Sequence, residues 1–258
     1  MNKRIVIMGA TSGIGRAVAE RLALKGCRIG VAGRNVKALQ LLAEQYPDRV
    51  VCHGIDITSP EASESLRELI EKLGGMDVYF HVAGTGYAND ELVSEADVAT
   101  VETNVTGYTR MIAAAYRYFR DERSGQGHIA AVTSVAGTKG IGNMASYSAS
   151  KAYQQRYLTA LEQLSHIQGL DIRFSDIRPG FIHTALLDST NRYPMAMTVD
   201  YAAPRIVQAL SRKRRISVID WRWSILTAMW RLIPDCLWVR LPVSIGSLKT
   251  YSSPRREQ

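Results

Sequence analysis

Cysteine is scarce in this chain. Its 258 residues include three, Cys27, Cys52 and Cys236, far apart and without a C-x-x-C pair. An odd, scattered set suits neither a disulfide framework nor a zinc site and fits a reducing compartment, so no metal is expected. Long apolar runs are missing as well: no 18 consecutive residues are uninterruptedly apolar, which argues against an ordinary membrane-spanning helix. The first residues lead straight into a strand-like segment ending at Gly9, and its apolar run is too short for a signal-peptide core. A cytoplasmic protein is the expectation. Internal repeats and low-complexity linkers are absent. Acidic residues run short only at one end. Residues 1–204 hold 21 basic and 21 acidic side chains, whereas the last 54 hold 11 basic and 3 acidic, and so carry the whole net charge of +8. A uniformly basic nucleic-acid binder does not fit that distribution, and no nucleic-acid partner is expected.

What is present reads as one large α/β domain. Short apolar runs suited to strands fall at 4–8, 28–32, 50–54, 77–82, 128–133, 171–177 and 216–220. Between them lie helix-like stretches at 14–25, 36–45, 60–72, about 95–120, 147–167 and 200–211. Such alternation predicts right-handed crossovers and a doubly wound parallel sheet of about seven strands, with helices on both faces. The expected division is one doubly wound domain over 1–220 and a C-terminal helical appendage over 221–258.

Chemistry concentrates in a few segments. The first strand ends in Gly9-Ala10-Thr11-Ser12-Gly13-Ile14-Gly15 and a helix follows at once. Glycines at that turn let a pyrophosphate approach the free N–H groups of the helix start, although the same residues also suit a plain tight turn. Tyr147 and Lys151 stand four residues apart on a predicted helix and so share one face. A cation there lowers a phenol's pKa and prepares it to exchange protons near neutral pH; a surface Tyr–Lys pair is the plainer alternative. Ser134 follows the fifth strand, at the end of the sheet that borders a ligand crevice.

Taken together, these segments resemble the short-chain dehydrogenase/reductases over residues 4 to about 220. Gly9-x3-Gly13-x-Gly15 looks like that family's cofactor loop, with Thr11, Ser12 and Ile14 inside it. Asp56-Ile57 stands where the family touches adenine. His81-Val82-Ala83-Gly84 is similar to the segment after strand four. Asn104, Ser134, Tyr147 and Lys151 match the catalytic tetrad. Arg178-Pro179-Gly180 with Ile182 and Thr184 matches the nicotinamide loop. The resemblance implies a Rossmann-type fold, a homo-oligomer, and hydride transfer between a nicotinamide cofactor and a carbonyl or carbinol carbon. In that scheme Tyr147 exchanges the proton, Lys151 lowers its pKa and holds the ribose, and Ser134 binds the substrate oxygen. Asn104 holds a water that relays protons through Lys151. Met8 and His81 depart from the usual Thr and Asn; both read as structural variations, with an acid–base role for His81 the less favoured alternative.

Cofactor choice is expected at the end of the second strand. Gly33 stands where an NAD enzyme carries an acidic residue, and Arg34 follows, suited to a 2′-phosphate, so NADP(H) is predicted. Residues 185–198 include Leu186, Leu187, Tyr193, Met195 and Met197, which suit a lid over a lipophilic substrate or an ordinary core. All four tryptophans lie between Trp221 and Trp238. Trp223, Leu226, Trp230 and Ile233 share a helical face, and Pro234 predicts two short helices rather than one. Tryptophan interleaved with arginine over 221–241 suits an anionic membrane surface, and equally suits packing on the body or on a second subunit. Leu248–Gln258 reads as a frayed end. Two other function classes remain open at this level: a cofactor-sensing protein without catalysis, and a membrane-associated scaffold. The complete Asn104/Ser134/Tyr147/Lys151 set speaks for an enzyme.

Overall fold

In the first strand, β1 (Arg4–Met8), side chains alternate between two buried layers: Ile5 and Ile7 enter one, Val6 and Met8 the other. A strand covered on both faces must be apolar throughout, and this one is. The structure is a computed structural model and describes residues 3–184, 186–187 and 193–243. Six further strands join β1: β2 (Arg28–Gly33), β3 (Val50–Gly54), β4 (Val78–His81), β5 (Gln126–Val132), β6 (Asp171–Pro179) and β7 (Ile216–Ile219). All pair in parallel, in the order β3-β2-β1-β4-β5-β6-β7. The seven runs expected from the sequence are these seven strands.

Helices α1 (Gly13–Leu24), α2 (Val36–Gln45) and α7 (Val199–Ser211) cover one face. Helices α3 (Ala62–Leu73), α5 (Tyr108–Glu122) and α6 (Ala145–Ile167) cover the other. Strand order reverses between β1 and β4, whose ends are paired at Met8 and His81. Beyond those ends the connecting loops diverge and leave a crevice.

One expected helix differs. The stretch at about 95–120 is not continuous: α4 (Ser94–Val101) passes through a π-helical turn, Glu102–Gly107, before α5 begins. The wide turn carries Asn104, fully buried, whose side chain bonds both backbone groups of Thr85 after β4. Tertiary hydrogen bonds thus set the helix geometry there, which apolar periodicity does not register.

Beyond β7, Asp220 adopts a left-handed backbone (φ 76°) and its carboxylate accepts from the Arg222 N–H at 2.9 Å, starting α8 (Trp221–Leu232). After Pro234 a short α9 (Asp235–Trp238) follows. Trp223 is 1% exposed and belongs to the same apolar layer as Ile5 and Ile7, with Leu226 and Trp230 packed beside it. Ring contacts run Tyr193–Phe181–Trp223–Trp230–Trp238, with centroids between 4.9 and 6.4 Å apart. The Trp238 indole donates to the Gly140 carbonyl at 2.7 Å, and Lys139 donates to the Ile233 carbonyl at 2.9 Å and pairs with Asp235. Trp221, by contrast, is 69% exposed. No helix among the described residues is long and apolar enough to cross a membrane. The expected frayed end at Leu248–Gln258 lies outside the described residues, as do 185 and 188–192.

Candidate active site

The crevice at the β1/β4 reversal is a cleft of about 440 Å³. Its floor is backbone. Gly9 has φ 95°, and a side chain there would collide with the backbone of Ala83, while one at Gly15 would overlap the Gly9 carbonyl. These close approaches bring the first turn of α1 to the cleft. Ser12 precedes that helix in an extended conformation and makes no side-chain cap, unlike Asn35 before α2, whose carboxamide accepts from Ala38 at 3.1 Å. An uncapped start leaves N–H donors for an anionic ligand.

Thr11, Ser12, Gly13, Ile14, Asp56, Ile57, Ala83, Gly84, Pro179, Gly180, Ile182 and Thr184 all line the cleft, together with Gly9, Arg34, Ser134, Tyr147 and Lys151. Two of the expected ligand-contacting residues do not. Gly15 lies behind Gly9, and Asn104 lies behind the Thr85 loop, which its side chain holds. Burial opposes ionisation of Asp56, but hydrogen bonds from the Thr58 N–H and hydroxyl, with the nearby Arg34 charge, hold its carboxyl below the usual range. Arg34 is exposed at the cleft rim. Gly33 packs against the Thr11 methyl, where an added Cβ would stand only 2.7 Å away. The donors, the uncapped helix and the absence of side-chain bulk along this floor fit a dinucleotide.

At the other end of the cleft, Tyr147 and Lys151 emerge from one face of α6. Lys151 Nζ stands 5.7 Å from the phenol ring centroid. Tyr147 sits among Ile141, Met144, Leu187 and Tyr193, and this apolar cover pushes its pKa up, the hydrogen bond with Ser134 acting the other way. The lowering expected from Lys151 is not found: burial raises the pKa and Ser134 alone opposes it. The ammonium is itself turned to other partners: the Val132 carbonyl at 3.3 Å and Gln154 Oε1 at 3.0 Å. Burial lowers the Lys151 pKa to about 8, with the Asp176 carboxylate opposing.

Ser134 is positioned by a buried network. Its hydroxyl accepts from Ala136 N–H at 3.1 Å, and its carbonyl accepts from Gln155 Nε2 at 2.7 Å. Beneath it Thr133 donates to Asp176, which pairs with Arg178 at 2.6 Å with both side chains below a tenth exposed. Gln154, Gln155, Thr133 and Asp176 were not singled out in the sequence. A signal existed for two of them: Gln154 and Gln155 follow Lys151 by three and four residues, which carries the face of Tyr147 and Lys151 onward as polar residues.

His81 lies beneath the cleft, not in it. Its Nδ1 shares a hydrogen bond with the Tyr79 hydroxyl at 3.0 Å, and its ring meets Tyr108 edge-on. Burial and the Lys151 charge hold its pKa at about 3, which keeps it neutral and removes it as an acid–base group near pH 7. Of the 185–198 segment, Leu186 and Leu187 line the cleft, whereas Met195 and Met197 pack into the layer over β1. Trp223 closes the same end: its ring fills the space where a side chain at Gly180 would go.

A model of the short chain dehydrogenase family matches residues 3–194. An uncharacterized oxidoreductase of Myxococcus xanthus is 30% identical over 240 residues, 90% of this chain and 93% of that protein. Among solved structures, an alcohol dehydrogenase of the archaeon Thermococcus sibiricus, complexed with 5-hydroxy-NADP, is 26% identical with a TM-score of 0.72, over 84% of this chain and 95% of that one. A short chain dehydrogenase/reductase of Burkholderia phymatum in complex with NAD has a TM-score of 0.79 at 20% identity, over 94% and 98% of the two chains, and speaks for the fold. The sheet order, the glycine turn and the Tyr147/Lys151 pair thus belong to a chain that is a member of the short-chain dehydrogenase family of oxidoreductases.

Proposed function

We propose that the protein is an NADP(H)-dependent oxidoreductase acting on the carbonyl or secondary alcohol of a lipophilic substrate. The observation that carries this reading is the juxtaposition of Ser134, Tyr147 and Lys151 at an apolar end of a cleft whose other end is glycine backbone. A bound nicotinamide cofactor supplies or accepts the hydride. In reduction a C–H bond forms at the carbonyl carbon, the C=O π pair moves to oxygen, and Tyr147 Oη donates its proton to that oxygen. Ser134 Oγ donates a hydrogen bond to the same atom, and Lys151 holds positive charge beside it. Oxidation is the reverse, with Tyr147 accepting the proton. Arg34 at the rim, beside a glycine rather than a carboxylate, favours a 2′-phosphate. Leu186, Leu187 and Trp223 on the opposite wall favour an apolar substrate. The test is a panel of lipophilic ketones and keto-lipids with NADPH and NADH, followed by nicotinamide absorbance. Reduction of at least one of them, faster with NADPH, is expected; a protein that binds neither dinucleotide sinks the reading.

We also propose that the outer face of α8 and α9 meets an anionic membrane surface from the cytoplasmic side. Seven of the 18 large hydrophobic residues exposed among the described residues fall between Trp221 and Leu241. Arg231 and Arg240 lie exposed in the same stretch with no ion pair among the described residues, while Asp220 and Asp235 are already paired. The positive charge left over in this stretch favours anionic lipid headgroups. Co-sedimentation with phosphatidylglycerol vesicles but not with phosphatidylcholine vesicles is expected, and weakened by Arg231→Ala with Arg240→Ala. Equal behaviour with both vesicles, or dimerisation through this face, rejects it.

A further inference from the structure

Lys151 is anchored by a residue that no motif names. Gln154, fully buried one turn along α6, accepts from Lys151 Nζ at 3.0 Å through Oε1. Its other end, Nε2, donates to the Asn104 carbonyl at 2.9 Å. The amide orientation follows from chemistry, because only its oxygen can face an ammonium and only its NH₂ can face a carbonyl. Asn104 belongs to the π-turn, and its side chain is occupied by Thr85 and by the Ser150 hydroxyl at 3.1 Å. The carbonyl is therefore what this turn offers towards Lys151, and Gln154 takes it.

The resemblance to the family puts a proton-relaying water between Asn104 and Lys151. Here a carboxamide joins the two. We propose that Gln154 is a positioning residue for Lys151: it ties the ammonium to the carbonyl of the Asn104 turn and so fixes where that charge lies beside Tyr147. This deepens the function proposed above and rests on it for the role of Lys151.

The charged and titratable groups facing Lys151 are Tyr147 from its own helix, His81 from β4 and Asp176 from β6. His81 is neutral near pH 7. Dinucleotide binding that depends on the ammonium is therefore lost as pH rises through the Lys151 pKa, which burial has lowered to about 8. The experiment measures the alkaline midpoint of NADPH binding by the cofactor's fluorescence, with Lys151→Met identifying the limb that belongs to this lysine. In Gln154→Glu, a carboxylate beside the ammonium raises the midpoint by about one pH unit or more. In Gln154→Met, loss of the acceptor lowers it by about half a unit, at nearly unchanged side-chain volume. Opposite shifts around the wild type are the expected result, and a merely structural role does not produce them. Where Gln154→Glu fails to fold, the downward shift of Gln154→Met decides alone. An unmoved midpoint, or shifts of the same sign, overturns the proposal. Because no substrate is needed, a wild-type chain that binds NADPH but reduces nothing counts against the proposed reaction and leaves the role of Gln154 to be read from the midpoints.

Discussion

The two ends of the cleft are built from different materials. The dinucleotide end is mostly backbone: the Gly9–Gly15 turn, the Ala83–Gly84 loop it nearly touches, and the uncapped start of α1. Within the glycine turn the spacing is rigid, because an added Cβ at Gly9 or Gly15 meets main-chain atoms that cannot give way. The other end is mostly side chains, brought together from Ile141–Tyr147, from Phe181, Leu186 and Leu187, and from α8. Backbone recognition demands particular residues at particular intervals, whereas an apolar wall accepts any side chains of suitable size. One end therefore identifies a ligand class, and the other only a polarity.

Tyr147 stands where the two ends meet, and its loss has the largest expected effect. Tyr147→Phe should lower kcat by ~10²–10⁴-fold, measured under saturating dinucleotide and substrate, since in the proposed reaction it removes the proton donor and little else. A variant that keeps more than about a hundredth of the wild-type rate breaks the assignment of this seam. Next comes the side-chain wall. Trp223→Ala empties space beneath Gly180 and should cost about 3–5 kcal/mol of stability, read as a drop in denaturation midpoint. If it raises substrate KM while dinucleotide Kd holds, the contrast between the ends is sharpened; equal loss of both erases it. The smallest effect belongs to Arg34, the cleft-rim cation on an otherwise backbone floor. Arg34→Ala should reduce the NADPH-over-NADH preference by about tenfold, on the order of one charge-assisted hydrogen bond, measured as a ratio of kcat/KM values.

The same contrast explains what could be read from the sequence. All seven strands were legible, because a sheet covered on both faces requires apolar runs and helices must separate them. The glycine turn and the Tyr147 face were legible because their residues stand at fixed intervals within single short segments. The π-turn was not, since what holds it is the bonding of Asn104 to Thr85, nineteen residues away, which no local pattern records. Gln154 looked like an ordinary helix polar residue, and only its three-residue distance from Lys151 hinted otherwise. The pKa of Tyr147 could not be judged, because part of the burial that raises it comes from Leu187 and Tyr193, some forty residues away in the chain. In α8 the stripe of Trp223, Leu226 and Trp230 was visible, but Trp221, Ile225 and Met229 form a second apolar face, so composition alone does not say which side is covered.

That two-sided helix links the cleft to the outside. Gly180 has no room for even a methyl group against the Trp223 indole, so α8 is seated directly on the loop that lines the cleft. Free-energy coupling between two binding sites is reciprocal. Whatever grips the exposed face of α8 and favours this seat strengthens a ligand that favours it too, and the ligand strengthens that grip by the same factor.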